Sequence, residues 1–282
     1  MKLFTLKSFN YFVFVAVSVA TVFSGSCSNE QEIKTEITSS LIVSHDYDSI
    51  VAEGVIRATV EYNSTDFYVN GDTLSGFHYE LLNLFAKEKN LKVEIIPEMS
   101  FEKRIRNLND GKCDIIAYGM AATNELKDSL LLTVPLMLSK SVLVQRKPNE
   151  EDPSSYIESL LDLSGKTIHL VKGSPSIMRI RNLEVEIGDN IYIEEIDKYG
   201  SEQLMAMVAH GDIDYVVCDE HIARASTNSL SNLDIHTDVS FNQFYSWGVG
   251  KQSPILHDSL NIWLLQFRIT KQYKELYNKY YN

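Results

Sequence analysis

The sequence predicts an α/β protein of two lobes with a ligand cleft between them, and three observations predict it. One phrase occurs twice: "DGKCDIIAYG" runs from Asp110 to Gly119, and "HGDIDYVVCD" from His210 to Asp219. Each copy sets a Gly-x-x-Asp step, Gly111 to Asp114 and Gly211 to Asp214, between a stretch with helical spacing and an apolar run of strand length. That is a helix ending in a tight turn and feeding a buried strand. Strands and amphipathic helices alternate around both copies, which implies mostly parallel sheets. Finally, 282 residues with 44% hydrophobic and 23% charged side chains suffice for two compact lobes.

The amino terminus stands apart from this pattern. Lys2 and Lys7 precede an apolar run from Phe9 to Phe23, and "SGSCSNEQE" follows. The run is shorter than the roughly 20 residues of a bilayer span, so it reads as an export signal over 1–26 in preference to a membrane anchor. Cys27 follows Ser24, Gly25 and Ser26 and resembles a lipobox cysteine, although Ser24 stands where a leucine is usual. Residues 27–40 then form a polar tether to the membrane.

From Gly54, "GVIRATVEYN" gives a first strand, and "GFHYELLNLFAKEKN" an amphipathic helix with Leu81, Leu82 and Phe85 inward. "LKVEIIP" is the next strand, "FEKRIRNLNDG" a helix with Ile105 and Leu108 in its stripe, and "CDIIAYG" the strand that closes the first unit. After the polar break "RKPNEEDPSS", Arg146 to Ser155, the pattern restarts with a strand from Lys166 to Val171. A helix from Pro175, a strand near "NIYIEEI", the helix "SEQLMAMVAHG" and the strand "DYVVCD" repeat the scheme. Leu204, Met207 and Val208 mark the inner face of the last helix. Lobe 1 is thus expected over 41–145 plus 240–282, and lobe 2 over 146–239. Cys113 and Cys218, one in each copy of the phrase, read as small buried hydrophobes and not as a disulfide.

Removing residues 1–26 takes away two lysines and no acid, so the formal charge moves from −12 to −14. An acidic surface argues against nucleic acid and anionic membranes as partners. The seven histidines show no pair at metal-ligand spacing, and neither a Gly-x-Ser-x-Gly elbow nor a phosphate-cradling glycine loop occurs. No metal, cofactor or catalytic residue is therefore expected. In open α/β sheets the ligand lies at the carboxyl ends of the strands, so two facing lobes place it in the cleft between them.

"IRATVEYN", "GFHYELLNLFAKEKNLKVEI", "LNDGKCDIIAYGMAATNE", "LSGKTIHLVKGSPS", "MVAHGDIDYVVCDE", "YSWGVGK" and the terminal "YKELYNKYY" follow one another in an order that resembles the bacterial extracellular solute-binding proteins of family 3. The resemblance spans residues 50–282 and implies a two-lobed periplasmic-binding-protein-like (type II) fold. "STDFYVNGDTLSGFHYELLNLFA" and "GSEQLMAMVAHGDIDYVVCDEHIA" look most like the amino-terminal domain of membrane-bound lytic transglycosylase F, here without a catalytic domain behind it.

The resemblance also implies ligand contacts. Asp219 stands where the family receives an α-amino group, with a helix cap or salt bridge as its other reading. Gly173 and Ser174, with Ser176, stand where backbone N–H groups at a helix start meet a ligand anion, or simply cap that helix. Tyr62, Ser64, Tyr68 and Phe101 are the first-lobe wall, and each aromatic among them is also a candidate for core packing. Gly119, Ala121 and Thr123 lie where hydroxyls and N–H groups hold a carboxylate. The arginine of that set is replaced by Leu126, and Lys127 beside it is either a substitute or a solvated charge.

The expected protein is a non-catalytic, lipid-anchored binding protein on the periplasmic side of the cell envelope. Its ligand is a small amino-bearing molecule, an amino acid, peptide or muropeptide. The alternatives are an amino-acid-binding component feeding an ABC permease, and a ligand-free partner of a cell-wall lytic enzyme.

Overall fold

The computed structural model describes residues 45–148 and 155–281. The signal, Cys27 and the tether lie outside the described residues.

In the first lobe, helix α1 (Tyr47–Glu53) leads into β1 (Val55–Val60), the hairpin β2 (Tyr68–Asn70) and β3 (Thr73–Ser75), α2 (Phe77–Glu88) and β4 (Lys92–Pro97). Then come α3 (Phe101–Asn109), β5 (Ile115–Ala121), α4 (Asn124–Ser129), β6 (Leu130–Leu132) and β7 (Met137–Ser139). The second lobe holds β8 (Ser141–Arg146), β9 (Thr167–Val171), α5 (Ser176–Ile187), β10 (Tyr192–Ile196), α6 (Ser201–His210), β11 (Val216–Asp219), α7 (Glu220–Thr227) and β12 (Leu233–Asp234). The chain returns to the first lobe with β13 (Gln243–Gly250), α8 (Pro254–Phe267) and α9 (Lys271–Tyr281).

Strand order explains the repeated phrase. The first sheet runs β4-β1-β5-β13-β6 and the second β10-β9-β11-β8-β12. In each, three parallel strands are followed by one antiparallel strand, β13 beside β5 and β8 beside β11. Both copies of the phrase thus deliver the third parallel strand, β5 and β11. Gly111 (φ 69°) and Gly211 (φ 86°) supply the left-handed turn that ends α3 and α6, a conformation that costs side-chain-bearing residues steric strain.

The strand pairing also corrects the lobe boundary expected at 145/146. Ser141–Arg146 is apolar enough to read as the last strand of lobe 1, but it pairs with β11 and β12 in the second sheet. The first crossing therefore lies at Lys140, ahead of the polar break that suggested the boundary. The return crossing lies between β12 and β13.

Leu81, Leu82 and Phe85 of α2 are fully buried, as their spacing predicts, in a core with Phe77, Trp247, Leu260 and Leu264. The second sheet packs one cluster on each face, around Leu170, Ile180 and Leu183 and around Leu204, Met205 and Val208. Ile222 of α7, in lobe 2, joins the first-lobe cluster of Phe101, Leu108, Tyr118, Met120 and Leu126. Cys113 and Cys218 are buried free thiols. No helix among the described residues is long and apolar enough to cross a membrane.

Candidate functional site

The carboxyl ends of β5 and β11 face one another across a cleft of about 240 Å³ lined by both lobes. Phe101, Gly119, Ala121, Thr123, Ser174 and Asp219 line it, as the sequence suggests. The other expected residues do not. Tyr62 is exposed and packs edge-on against Phe67, while Tyr68 sits edge-on against Tyr280 of α9. Ser64 donates its N–H to Glu202 of α6 at 2.9 Å, an exposed bridge between the lobes at the rim. Residues 62–68 fold as a turn around the Asn63 side chain, whose oxygen accepts from the Thr65 and Asp66 N–H groups, and this turn carries the aromatics away from the cleft.

Gly173 also stands outside the lining, and the anion-binding turn expected at 173–176 is spent internally. The Gly173 N–H donates to Glu195 (3.1 Å), the Ser174 N–H to the Val171 carbonyl (3.0 Å) and the Ser176 N–H to the Ser174 hydroxyl (3.3 Å). The Ser176 and Ser141 hydroxyls pair with each other at 3.1 Å. Of the expected carboxylate grip in lobe 1, Thr123 caps α4 by accepting the Leu126 N–H at 3.3 Å. Leu126 itself is buried among Leu130 and Met120, and Lys127 is exposed.

Asp219 ends β11, half-buried, and its carboxylate reaches across the cleft to lobe 1. It accepts the Tyr245 hydroxyl at 2.5 Å and the Tyr118 hydroxyl at 3.2 Å. Burial pushes its pKa up from 3.8 to about 7, with Glu61 adding repulsion, against the pull of the two tyrosine hydrogen bonds. A carboxylate offers about four acceptor directions, so two remain for a ligand ammonium.

Beside it stands a group that the sequence reading missed. Glu61, one residue past β1, is 1% exposed and pairs with equally buried Arg104 at 3.0 Å. Arg104 also donates to the carbonyls of Glu98 (2.7 Å) and Met99 (3.2 Å), and its guanidinium lies 4.5 Å from the centre of the Tyr118 ring. The signal was present: Phe101, Arg104 and Leu108 recur at i, i+3 and i+7, which puts a charge in the buried stripe of α3. Glu61 keeps one buried oxygen, Oε1, without a hydrogen-bond partner. That oxygen faces lobe 2 at Gly200, where an added Cβ would sit 3.1 Å from Oε1 and 2.5 Å from the Met99 methyl.

Burial pushes Glu61 up, with Arg104 opposing. Asp66, fully buried behind it, is likewise raised by burial. The nearby histidines are driven to the neutral form by burial, His78 to about 3 and His221 to about 4.

Comparison with known proteins adds the following. The profile of the bacterial extracellular solute-binding proteins, family 3, matches residues 55–282. Membrane-bound lytic murein transglycosylase F of Photobacterium profundum is 26% identical over 222 residues, covering 79% of this chain and 42% of that protein. The protein of the same name from Pseudoalteromonas translucida is 26% identical over 231 residues, 81% of this chain and 47% of that one. The chain thus spans less than half the length of these curated relatives. Among solved structures, an ancestral arginine-binding protein bound to arginine superposes with a TM-score of 0.71 at 25% identity, covering 81% of this chain and 99% of that one. The arginine-bound form of a truncated ArgBP from T. maritima superposes at 0.67 with 24% identity, over 78% of this chain and 100% of that one.

Proposed function

This chain belongs to the bacterial extracellular solute-binding proteins, family 3, and from that premise we propose that it is a non-catalytic, lipid-anchored binding protein of the cell envelope whose interlobe cleft closes on one small amino-bearing ligand. Asp219 carries the reading. It is a cleft-lining carboxylate with acceptor directions to spare, held in place by Tyr118 and Tyr245. An ammonium there gains charge-assisted hydrogen bonds in a desolvated site, which are stronger than those between neutral groups.

The cleft sets the size. At about 240 Å³ it exceeds the roughly 150 Å³ cavity that accommodates benzene, so a single amino-acid-sized molecule fits between the closed lobes. A peptidoglycan-type peptide enters by its amino end, with the remainder outside. The likeness to lytic transglycosylases favours that cell-wall version of the ligand; the likeness to an arginine-bound protein favours the amino-acid version and delivery to a permease.

Calorimetric titration of the full chain with amino acids, short peptides and muropeptides tests this. Binding that weakens about a hundredfold or more in Asp219→Asn supports the amine clamp, in line with the 2–5 kcal/mol cost of breaking a desolvated charge pair. Undiminished binding in that variant rules the clamp out.

A further inference from the structure

The carboxyl groups of Glu61 and Asp219 line the cleft, and that of Asp66 is fully buried nearby. Asp66 adds repulsion to Glu61, and both add repulsion to Asp219, behind the larger effect of burial. Arg104 is the guanidinium that faces them, and the two histidines beside them are neutral. Glu61 lines the cleft with a buried oxygen that accepts nothing, and an unpartnered buried acceptor costs free energy until something donates to it.

The provision for an anion is the reverse. The N–H groups at 173, 174 and 176 are used within the protein. The two arginines of the lining are largely committed, Arg104 through its terminal nitrogens to Glu61 and two carbonyls, with Nε unpartnered, and Arg179 to Glu186 (2.7 Å) and the Val239 carbonyl (2.8 Å).

We propose that the cleft selects a small dication bearing two amines and no free carboxylate, with one ammonium on Asp219 and the other on the open oxygen of Glu61. This rests on the reading of the cleft as an amine-binding site and specifies its ligand class. Two ammonium groups match the carboxylates of Glu61 and Asp219, whereas a carboxylate entering with them meets those like charges, and among the described residues of the lining Arg104 Nε is the one buried side-chain donor without a partner.

Three probes with the same five-carbon chain decide it: cadaverine, n-pentylamine, which lacks one amine, and lysine, which adds a carboxylate. Each is titrated calorimetrically into the full chain at pH 7.5. Cadaverine is expected to bind at least tenfold more tightly than either of the others, and Glu61→Gln to erase its advantage over pentylamine. Circular dichroism reports whether that variant folds; if it does not, the wild-type series decides alone. Lysine or pentylamine matching cadaverine overturns the dication inference and leaves the Asp219 clamp standing. Failure of all three to bind overturns the dication inference, and if the amino-acid and peptide panel also fails, the amine-site reading falls with it.

Discussion

The two walls of the cleft are built from the same topological unit, yet the start of α5 on one and the Glu61–Arg104 pair on the other treat their polar groups in opposite ways. On the second-lobe wall the start of α5 satisfies itself: Gly173, Ser174 and Ser176 direct their N–H groups into the protein, and the Ser176 hydroxyl is matched by Ser141. On the first-lobe wall Glu61 and Arg104 are buried as ions, with Glu61 Oε1 and Arg104 Nε left unpartnered. The difference teaches where specificity lies. The start of α5, with its hydrogen bonds complete, supplies shape, while Asp219 and the Glu61–Arg104 pair, with positions left open, discriminate among ligands.

Arg104→Ala breaks the contrast most severely, because it leaves Glu61 buried without its counter-ion. A loss of about 3–5 kcal/mol in unfolding free energy is expected by urea denaturation, and a loss under about 1 kcal/mol shows that Glu61 is protonated or hydrated in the folded protein. The pH profile sharpens the comparison from the Asp219 side. Its folded pKa of about 7 lies above the ordinary 3.8, so it stabilises the ligand-free protein at acid pH, and that stability is lost as pH rises from about 4 to 7. An ammonium ligand needs the ionised form, so affinity moves the other way and rises about fiftyfold between pH 5 and 7. His78 and His221, neutral throughout that range, do not contribute, and a flat profile by calorimetry breaks the assignment.

Gly200→Ala tests whether the lobes must meet this closely. Its backbone (φ −84°) accepts alanine, but the new methyl meets Met99 and Glu61. Each lobe therefore folds while closure is wedged, with ligand affinity down about tenfold and a larger radius of gyration in solution scattering. The smallest effect is expected on the complete wall: Ser176→Ala removes one hydroxyl pair and costs about 1 kcal/mol in thermal unfolding, with little change in binding.

The sequence made the architecture legible because the architecture is repeated in it. The Gly-x-x-Asp steps, the apolar spacing of α2 and the strands after each step all fall where periodicity puts them. The boundary at Lys140 was hidden because β8 is as apolar as a lobe-1 strand, and sheet membership is a long-range pairing that local pattern does not encode. The site was half legible. The resemblance points to Asp219, which does line the cleft, whereas the turn closed by Asn63 leaves Tyr62 and Tyr68 outside the lining. Gly173 was misread because its N–H finds Glu195, which is 22 residues away. Arg104 and Glu61 were legible in part, as a charge in an apolar stripe and an acid just past a buried strand, but their pairing belongs to the tertiary structure.

The two crossings between the lobes run side by side. β7 pairs with β13 on one side, β8 with β12 on the other, and between them the Val239 and Ser240 N–H groups both donate to the Ser141 carbonyl while the Ser141 N–H donates to the Ser240 hydroxyl. Such a strap behaves as a ribbon and not as two separate strings. It bends across its thin direction and resists shear and splaying, so the lobes explore a single angular coordinate. A search along one coordinate sacrifices little orientational entropy on closing, which leaves the few polar contacts of the cleft free to decide which solute holds the lobes together.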